Sequence, residues 1–203
     1  MRDIYITFLL CILAFFASSI PFGYIIAKLK GIDIRKYGSG NIGATNVTRV
    51  LGKKYGALVL FLDAIKGAIF VLIGKFFNLN LFELTLIALF AILGHMFSPF
   101  LKGKGGKGVA TAVGTFLVIS PLTTLFAILD FILVFLVTRI VSLSSLSAVL
   151  IFLLSFPLIE RRDPYMPYAL IIVLIIATLI FYKHKDNISR LLKGQEYRFG
   201  EKR

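Results

Sequence analysis

Charged residues are scarce in this chain of 203 residues, and acidic residues most of all. Asp, Glu, Lys and Arg together make up 16% of the sequence, whereas hydrophobic residues make up 58%. The mean hydropathy of +0.91 lies well outside the range of soluble globular proteins. The composition therefore excludes a soluble domain of ordinary type and predicts an integral membrane protein.

Cysteine and histidine are almost absent. The only cysteine, Cys11, lies in the first apolar run, so the chain cannot form an intrachain disulfide and redox chemistry is not indicated. Neither of the two histidines, His95 and His184, begins a His-x4-Asp acid–base pair. Two isolated histidines are also a weak metal site, and the sequence predicts no metal and no cofactor.

Apolar runs follow one another along the whole chain. They predict an all-α polytopic membrane protein with about seven transmembrane helices in a single integral membrane domain, residues 1–203. The fourth run is short, and Ser120-Pro121 marks a tight turn after it. The predicted spans are 4–27, 56–76, 81–97, 109–119, 122–137, 140–159 and 168–182.

The positive charges predict the orientation of these helices. Lys and Arg number 18 on one side of the predicted membrane and 4 on the other, and one more, Lys66, lies within a span. The positive-inside rule places the richer side in the cytoplasm and the N-terminus outside. The predicted cytoplasmic segments are the loops at about 28–55, 98–108 and 138–147 and the tail 183–203.

Two of these loops are rich in glycine, and each is expected to lead to or abut a helix N-terminus: 38–46, GSGNIGATN, and 102–108, KGKGGKG, which also holds three lysines. Both match G-x-G-x-x-G, but neither follows a strand of a βαβ unit, and the second lacks the Ser or Thr of a phosphate-binding P-loop. Glycine amides can form an anion-binding nest, and Arg49, Lys104 and Lys107 add positive charge. The pattern favours phosphate binding; the alternative is a pair of surface loops whose lysines meet anionic lipid.

An ionisable side chain inside a membrane span needs a partner within the protein, because a lone charge surrounded by lipid is costly. Asp63 and Lys66 are three residues apart, on one helix face, and the simplest interpretation is that they pair with each other. Asp130 needs a partner that the sequence does not identify. We interpret His95 as a packed residue. His184 is either part of a charge cluster that follows the last span or a substrate contact.

Taken together, the motifs resemble one family over nearly the whole chain: the bacterial membrane-bound acyl-phosphate glycerol-3-phosphate acyltransferases of the PlsY type. The matching segments are 38–47 with Arg49, 62–67, 94–95 with 104–111, 141–145 and 184–194. The first and third of these are long and highly specific motifs.

The resemblance implies transfer of a fatty acyl group from acyl phosphate to the sn-1 hydroxyl of glycerol 3-phosphate, which forms lysophosphatidic acid and phosphate in phospholipid synthesis. An acyl phosphate is already activated, so neither an acyl-enzyme nor a metal is needed. The implied location is the bacterial cytoplasmic membrane, with the site on the cytoplasmic side. Implied partners are the two substrates, membrane lipid and the soluble enzyme that makes acyl phosphate; nucleic acid is not expected.

The resemblance also implies roles for particular residues. The expected catalytic residues are Arg49, Lys104 and His184, and the proton acceptor is either His184 or a substrate phosphate. Acyl phosphate is expected at Ser39, Gly40, Asn41 and Asn46, with Gly105 in the second loop. The glycerol 3-phosphate headgroup is expected to meet Ser142 and Asn187 in addition to the three catalytic residues.

Two other classes of protein fit parts of the pattern. A transporter of an organic phosphate anion would also use basic glycine-rich loops, but it predicts polar sites reached from both faces near the bilayer midplane. A structural membrane anchor that binds anionic lipid would tolerate changes at Gly40 or Gly105. The clustering of the polar motifs on one predicted face favours the enzyme.

Overall fold

Helices form the regular secondary structure of residues 2–200, the part of the chain that the computed structural model describes. Six segments are long and apolar enough to cross a membrane: Arg2–Leu29, Lys53–Phe76, Leu81–Leu101, Pro121–Thr138, Val141–Ile159 and Met166–Lys183. This confirms the predicted all-α membrane fold. The α-helices are α1 (Arg2–Ser18), α2 (Phe22–Leu29), α3 (Ala44–Leu51), α4 (Lys53–Phe76), α5 (Leu81–Met96), α6 (Val109–Ile119), α7 (Pro121–Thr138), α8 (Val141–Ile159), α9 (Met166–Lys183) and α10 (Lys185–Leu192).

The predicted fourth span is an apolar helix, α6, of only 11 residues. At 1.5 Å per residue it is about 16 Å long, roughly half the thickness of the hydrocarbon core. By length and composition six segments can each cross a membrane, and α6 is a shorter apolar helix. The number of about seven spans stays a prediction. The orientation of the helices in the membrane stays a prediction.

The first apolar run is a broken helix rather than a continuous one. Pro21, between α1 and α2, has no N–H to donate, and its ring disfavours helical geometry at Ile20. Side chains from elsewhere reach the carbonyls at the break. Ser98 Oγ donates to the Ser19 oxygen at 2.6 Å, and Lys66 Nζ donates to the Ile20 oxygen at 2.7 Å.

The predicted loop at 138–147 is much shorter in the structure, because α8 begins at Val141. The serines of this segment lie in α8, within the predicted span 140–159. The Ser144 and Ser145 hydroxyls donate to the carbonyls of Ile140 and Val141, at 2.9 and 2.8 Å. Both hydroxyls therefore have hydrogen-bond partners in the preceding turn of the chain.

The other predicted loops also contain helical turns. Residues 28–55 include the 3₁₀ turn Ile34–Lys36 and α3, and 98–108 includes the 3₁₀ turn Pro99–Leu101. The tail includes α10, and its last residues, 201–203, lie outside the described part of the chain. Both glycine-rich loops lead into a helix, α3 or α6, as predicted.

The chain forms two compact units, the first ending at Ile119 and the second beginning at Ser120. In the first unit, α4 packs against α1, α3, α5 and α6. In the second unit, α8 packs against α7 and α9, and α10 contacts α9. The fold of the first unit thus depends most on α4.

Buried charge in the first unit is paired as predicted. Lys66 Nζ lies 2.7 Å from Asp63 Oδ1, and both side chains are buried. In the second unit, Asp130 Oδ2 is shielded from solvent and has no hydrogen-bond partner within residues 2–200. The sequence identified the first partner correctly because it is local, three residues along the same helix.

Glycine allows α4 and α6 to approach each other closely. A Cβ added at Gly114 would overlap the Ala64 carbonyl oxygen, and one added at Gly67 would lie 2.6 Å from the Thr111 carbonyl oxygen. Small residues of this kind drive helix association in membranes, where the gain comes from backbone contact.

We therefore expect Gly114→Leu to destabilise the first unit by about 3 kcal/mol, the cost of overpacking a close contact. Thermal unfolding in detergent, followed by circular dichroism, measures the effect. Leu117→Ala on the exposed face of α6 is the control and should shift the transition little. Equal shifts for the two variants would show that the close contact does not hold the helices together.

Candidate functional site

The first glycine loop is organised around the side chain of Asn46, which is only 2% exposed. Asn46 Oδ1 accepts the backbone N–H of Ser39 at 2.9 Å. Asn46 Nδ2 donates to the carbonyls of Tyr37 and Asn41 at 3.0 and 2.9 Å. One amide therefore fixes both arms of the loop immediately before α3.

Backbone geometry requires glycine in this loop. Gly38 and Gly40 have positive φ angles of 59° and 69°, and a Cβ on Gly38 would overlap Asn46 Oδ1. Asn41 Oδ1 accepts the Gly43 N–H at 2.8 Å, which turns the chain into α3. Below the loop, Ile34, Ile42 and Val47 are buried in a small apolar cluster. The loop is therefore a folded part of the unit.

The second glycine loop is held by the end of α5. The N–H groups of Gly105 and Gly106 donate to the carbonyls of Met96 and His95, both at 3.1 Å. The N–H of Gly103 donates to the Ser98 carbonyl at 2.9 Å. Added Cβ atoms at Gly105 and Gly106 would overlap the His95 oxygen and ring respectively. Close backbone approach explains these two glycines.

The two loops meet at one cavity of about 470 Å³ in the first unit. Gly40, Asn41 and Ile42 line it from the first loop, and Lys104 and Gly105 line it from the second. Four of the predicted site residues therefore share one cavity. Backbone amides together with a lysine suit an anionic group such as phosphate.

Three further residues of the cavity wall, Asp33, Arg35 and Lys36, were missed in the sequence. Asp33 accepts two hydrogen bonds from Arg35, from Nε and Nη2, each at 2.8 Å. The guanidinium also lies over the ring of Tyr24, 4.7 Å from its centroid. The available signal was the charged run I-D-I-R-K directly before the first glycine loop.

The other predicted residues of the first loop adjoin the cavity without lining it. Ser39 is exposed, and its backbone N–H is used by Asn46. Arg49 is also exposed, and its Nη1 donates to Asn46 Oδ1 at 3.3 Å. Because Asn46 is buried and makes its hydrogen bonds to the loop, its geometry favours a role in shaping the site over direct substrate contact.

The remaining predicted residues belong to the second unit. Ser142, 7% exposed, is in the first turn of α8, and its Oγ has no hydrogen-bond partner within the described chain. His184 is buried at the end of α9 with Nδ1 2.8 Å from the Ile180 carbonyl. That carbonyl accepts the Nδ1 proton, so neutral His184 has its second nitrogen, Nε2, unprotonated.

Asn187 of the second unit is held by a residue that the sequence did not single out. Its Nδ2 donates to Glu196 Oε1 at 3.1 Å, and Arg190 Nε donates to Glu196 Oε2 at 3.0 Å. Glu196 is buried although it lies beyond α10. It anchors the segment after α10 to that helix.

The fold defines a polytopic helical membrane protein, and its cavity is lined by backbone amides and a lysine that suit an anionic group. Residues 8–194 match the family model described as glycerol-3-phosphate acyltransferase. The chain belongs to this family, and it is therefore an integral membrane acyltransferase.

Curated relatives agree with this assignment. The glycerol-3-phosphate acyltransferase of Aquifex aeolicus is 47% identical over 196 residues, which cover 94% of this chain and 97% of the relative. The enzyme of the same name from Fusobacterium nucleatum is 47% identical over 194 residues, 95% of this chain and 97% of the relative.

Solved structures of an integral membrane glycerol 3-phosphate acyltransferase, PlsY (YgiH), are also similar. The glycerol 3-phosphate form has a TM-score of 0.89 and 48% identity, covering 96% of each chain. The lysophosphatidic acid form has a TM-score of 0.86 and 47% identity, covering 96% of this chain and 95% of the other.

The Asp33–Arg35 pair should make the cavity wall sensitive to pH only under acidic conditions. Hydrogen bonding to the Arg35 side chain lowers the pKa of Asp33 from 3.8 to about 2. Because this pKa is lowered, the pair stabilises its loop above about pH 4, and the contribution is lost as pH falls towards 2.

A ¹³C NMR titration of Asp carboxyl carbons in detergent measures this effect, and Asp33→Asn identifies the signal by its loss. We expect the Asp33 signal to titrate near pH 2 in the native protein and near pH 4 in Arg35→Gln. The same midpoint in both proteins would show that the guanidinium does not hold the carboxylate in its charged form.

Proposed function

We propose that this protein transfers a fatty acyl group from an acyl phosphate to the sn-1 hydroxyl of glycerol 3-phosphate. The products are lysophosphatidic acid and inorganic phosphate. The observation that carries the proposal is the meeting of two glycine-rich loops at one cavity, with backbone amides and Lys104 in its wall. The family and the likeness of the sequence to acyl-phosphate-dependent enzymes support it.

The reaction needs little covalent work from the protein. The glycerol hydroxyl oxygen attacks the acyl carbonyl carbon, and the bond from that carbon to the phosphate oxygen breaks. The phosphate leaves with that bond's electron pair, and the hydroxyl proton passes to a phosphate oxygen or to His184. Positioning of the substrates and stabilisation of the developing negative charge can supply the catalysis.

In the first unit we assign the acyl-phosphate group to Ser39, Gly40 and Asn41, with Gly105 opposite, and the glycerol 3-phosphate headgroup to Arg49 and Lys104. Asn46 acts by holding the loop. Arg49 can present a planar fork to a phosphate, and Lys104 a compact charge. An acyl tail extends from such a headgroup into lipid, which suits an enzyme embedded in a membrane.

Ser142, His184 and Asn187 stay predicted contacts of glycerol 3-phosphate. His184 is the alternative proton acceptor, and His184→Gln would then remove one limb of the pH–rate profile.

We also propose that the reaction takes place on the inner face of the bacterial cytoplasmic membrane and that the soluble enzyme that makes acyl phosphate is a partner.

The direct test uses purified protein in detergent with palmitoyl phosphate and glycerol 3-phosphate, without nucleotide or added metal. We expect phosphate and lysophosphatidic acid in equal amounts, with the acyl group at sn-1 by chromatography of the regioisomers.

Lys104→Gln should lower kcat/KM about 100-fold, since a hydrogen bond to a charged group is worth up to about 3 kcal/mol. Lys102→Gln, in the same loop but outside the cavity wall, is the matched control and should stay within threefold.

Each other outcome contradicts part of the proposal. Phosphate without lipid product would indicate hydrolysis. Acyl transfer from palmitoyl-coenzyme A but not from palmitoyl phosphate would assign a different donor. Neither product from a folded sample would favour transport of an organic phosphate, which flux of glycerol 3-phosphate into proteoliposomes would detect.

Arg49→Lys keeps the charge but loses the bidentate geometry. We expect a higher KM for glycerol 3-phosphate or a lower kcat, with kcat/KM reduced tenfold or more. Steady-state kinetics over a range of glycerol 3-phosphate concentrations separates these two effects. Arg162→Lys at an exposed position is the control, and unchanged kinetics in both variants would remove the proposed role of Arg49.

A further inference from the structure

Three ionisable side chains lie together in the interior of the first unit: Asp63 and Lys66 from α4, and His95 from the last turn of α5. They are 2%, 5% and 4% exposed. Lys66 Nζ lies 2.7 Å from Asp63 Oδ1, and His95 Nδ1 lies 3.8 Å from the same oxygen. We call these three residues the buried ionic cluster. It is separate from the residues that line the cavity.

The buried ionic cluster is fixed on one side by the break in the first apolar run. Lys66 Nζ donates to the Ile20 carbonyl at 2.7 Å, and Ser18 Oγ donates to the Lys66 carbonyl at 3.1 Å. Lys66 therefore neutralises Asp63 and satisfies a backbone carbonyl that the break exposes. These contacts leave α4 little freedom to shift or rotate against α1.

On its other side the cluster meets the second glycine loop. A Cβ added at Gly106 would overlap His95 Nε2, so the loop backbone lies directly against the imidazole ring. The Gly106 N–H donates to the carbonyl of the same histidine at 3.1 Å. His95 thus lies between the Asp63 carboxylate and Gly106 of the loop. Gly106 is two residues from Lys104 along the chain.

We propose that Asp63 and His95 are positioning residues that fix the second glycine loop, so that Lys104 and Gly105 face the cavity. The proposal rests on the function assigned above. Neither residue needs to touch substrate. The carboxylate lies 3.8 Å from the imidazole Nδ1 and acts on the ring through its charge rather than through a hydrogen bond. The ring supports Gly106, and Lys66 holds the carboxylate in place. The glycines of this loop have no side chains to pack, so the loop depends largely on contacts made by its backbone.

Limited trypsin digestion in detergent tests the proposal without relying on enzymatic activity. The loop carries three cleavage sites, at Lys102, Lys104 and Lys107, and Lys30 provides an exposed reference site in the same unit. His95→Gln leaves the Asp63–Lys66 pair intact and removes the ring and its Nδ1. Ile92→Val, one turn earlier in α5 and fully buried, is the matched control.

We expect the ratio of cleavage in the loop to cleavage after Lys30, measured by mass spectrometry, to rise at least fivefold in His95→Gln. It should stay within twofold in Ile92→Val. An unchanged ratio, or an equal rise at both sites, would overturn the proposal, because the histidine would then not hold this loop in particular. If His95→Gln does not fold, Gly106→Ala is tested in its place, because its added Cβ would overlap the ring and force the loop and the ring apart while all three side chains of the cluster are kept.

Kinetics provides the second arm of the test. His95→Gln should lower kcat/KM about tenfold in the native protein. In a Lys104→Gln background it should lower kcat/KM less than threefold, because the lysine that the histidine helps to position is already absent. Equal losses in the two backgrounds would overturn the proposal. If the native protein transfers no acyl group, the assigned function fails, while the proteolysis still decides whether the cluster holds the loop.

Discussion

Backbone polar groups that a membrane protein places in lipid must be satisfied inside the protein, and much of this structure follows from that constraint. The Asp63–Lys66 pair is the main example in the first unit. Lys66 neutralises the carboxylate and also donates to the Ile20 carbonyl. The break at Pro21 would otherwise leave the Ser19 and Ile20 carbonyls without the hydrogen bonds of a continuous helix. The same contacts attach α1 to α4, the helix against which most of the first unit packs.

The two glycine-rich loops solve the same problem in different ways. In the first loop a single side chain, Asn46, satisfies both arms of the backbone at a distance of a few residues along the chain. In the second loop the partners are carbonyls at the end of α5, such as that of His95. The first loop is thus shaped by its own sequence, whereas the second depends on where α5 ends. Only the first arrangement could be recognised from a local motif.

Sequence reasoning predicted the features that depend on composition or on short spacings: the apolar helices, the pairing of Asp63 with Lys66, and glycine loops that lead into helices. It failed where a contact distant in sequence decides the outcome. Asp33 and Arg35 were missed because only the folded protein brings them to the wall beside Lys104.

The choice of glycine in the second loop carries a physical cost. Glycine brings the backbone against His95 and exposes amide groups, but it also gives the unfolded loop the greatest conformational freedom to lose. The lysine side chains add further conformational entropy to be lost. Fixing such a loop must therefore depend on groups outside it, and these groups must themselves be rigid. A buried ionic pair that contacts two other helices meets that requirement, because moving any member would leave a charge without its partner in a medium of low dielectric constant.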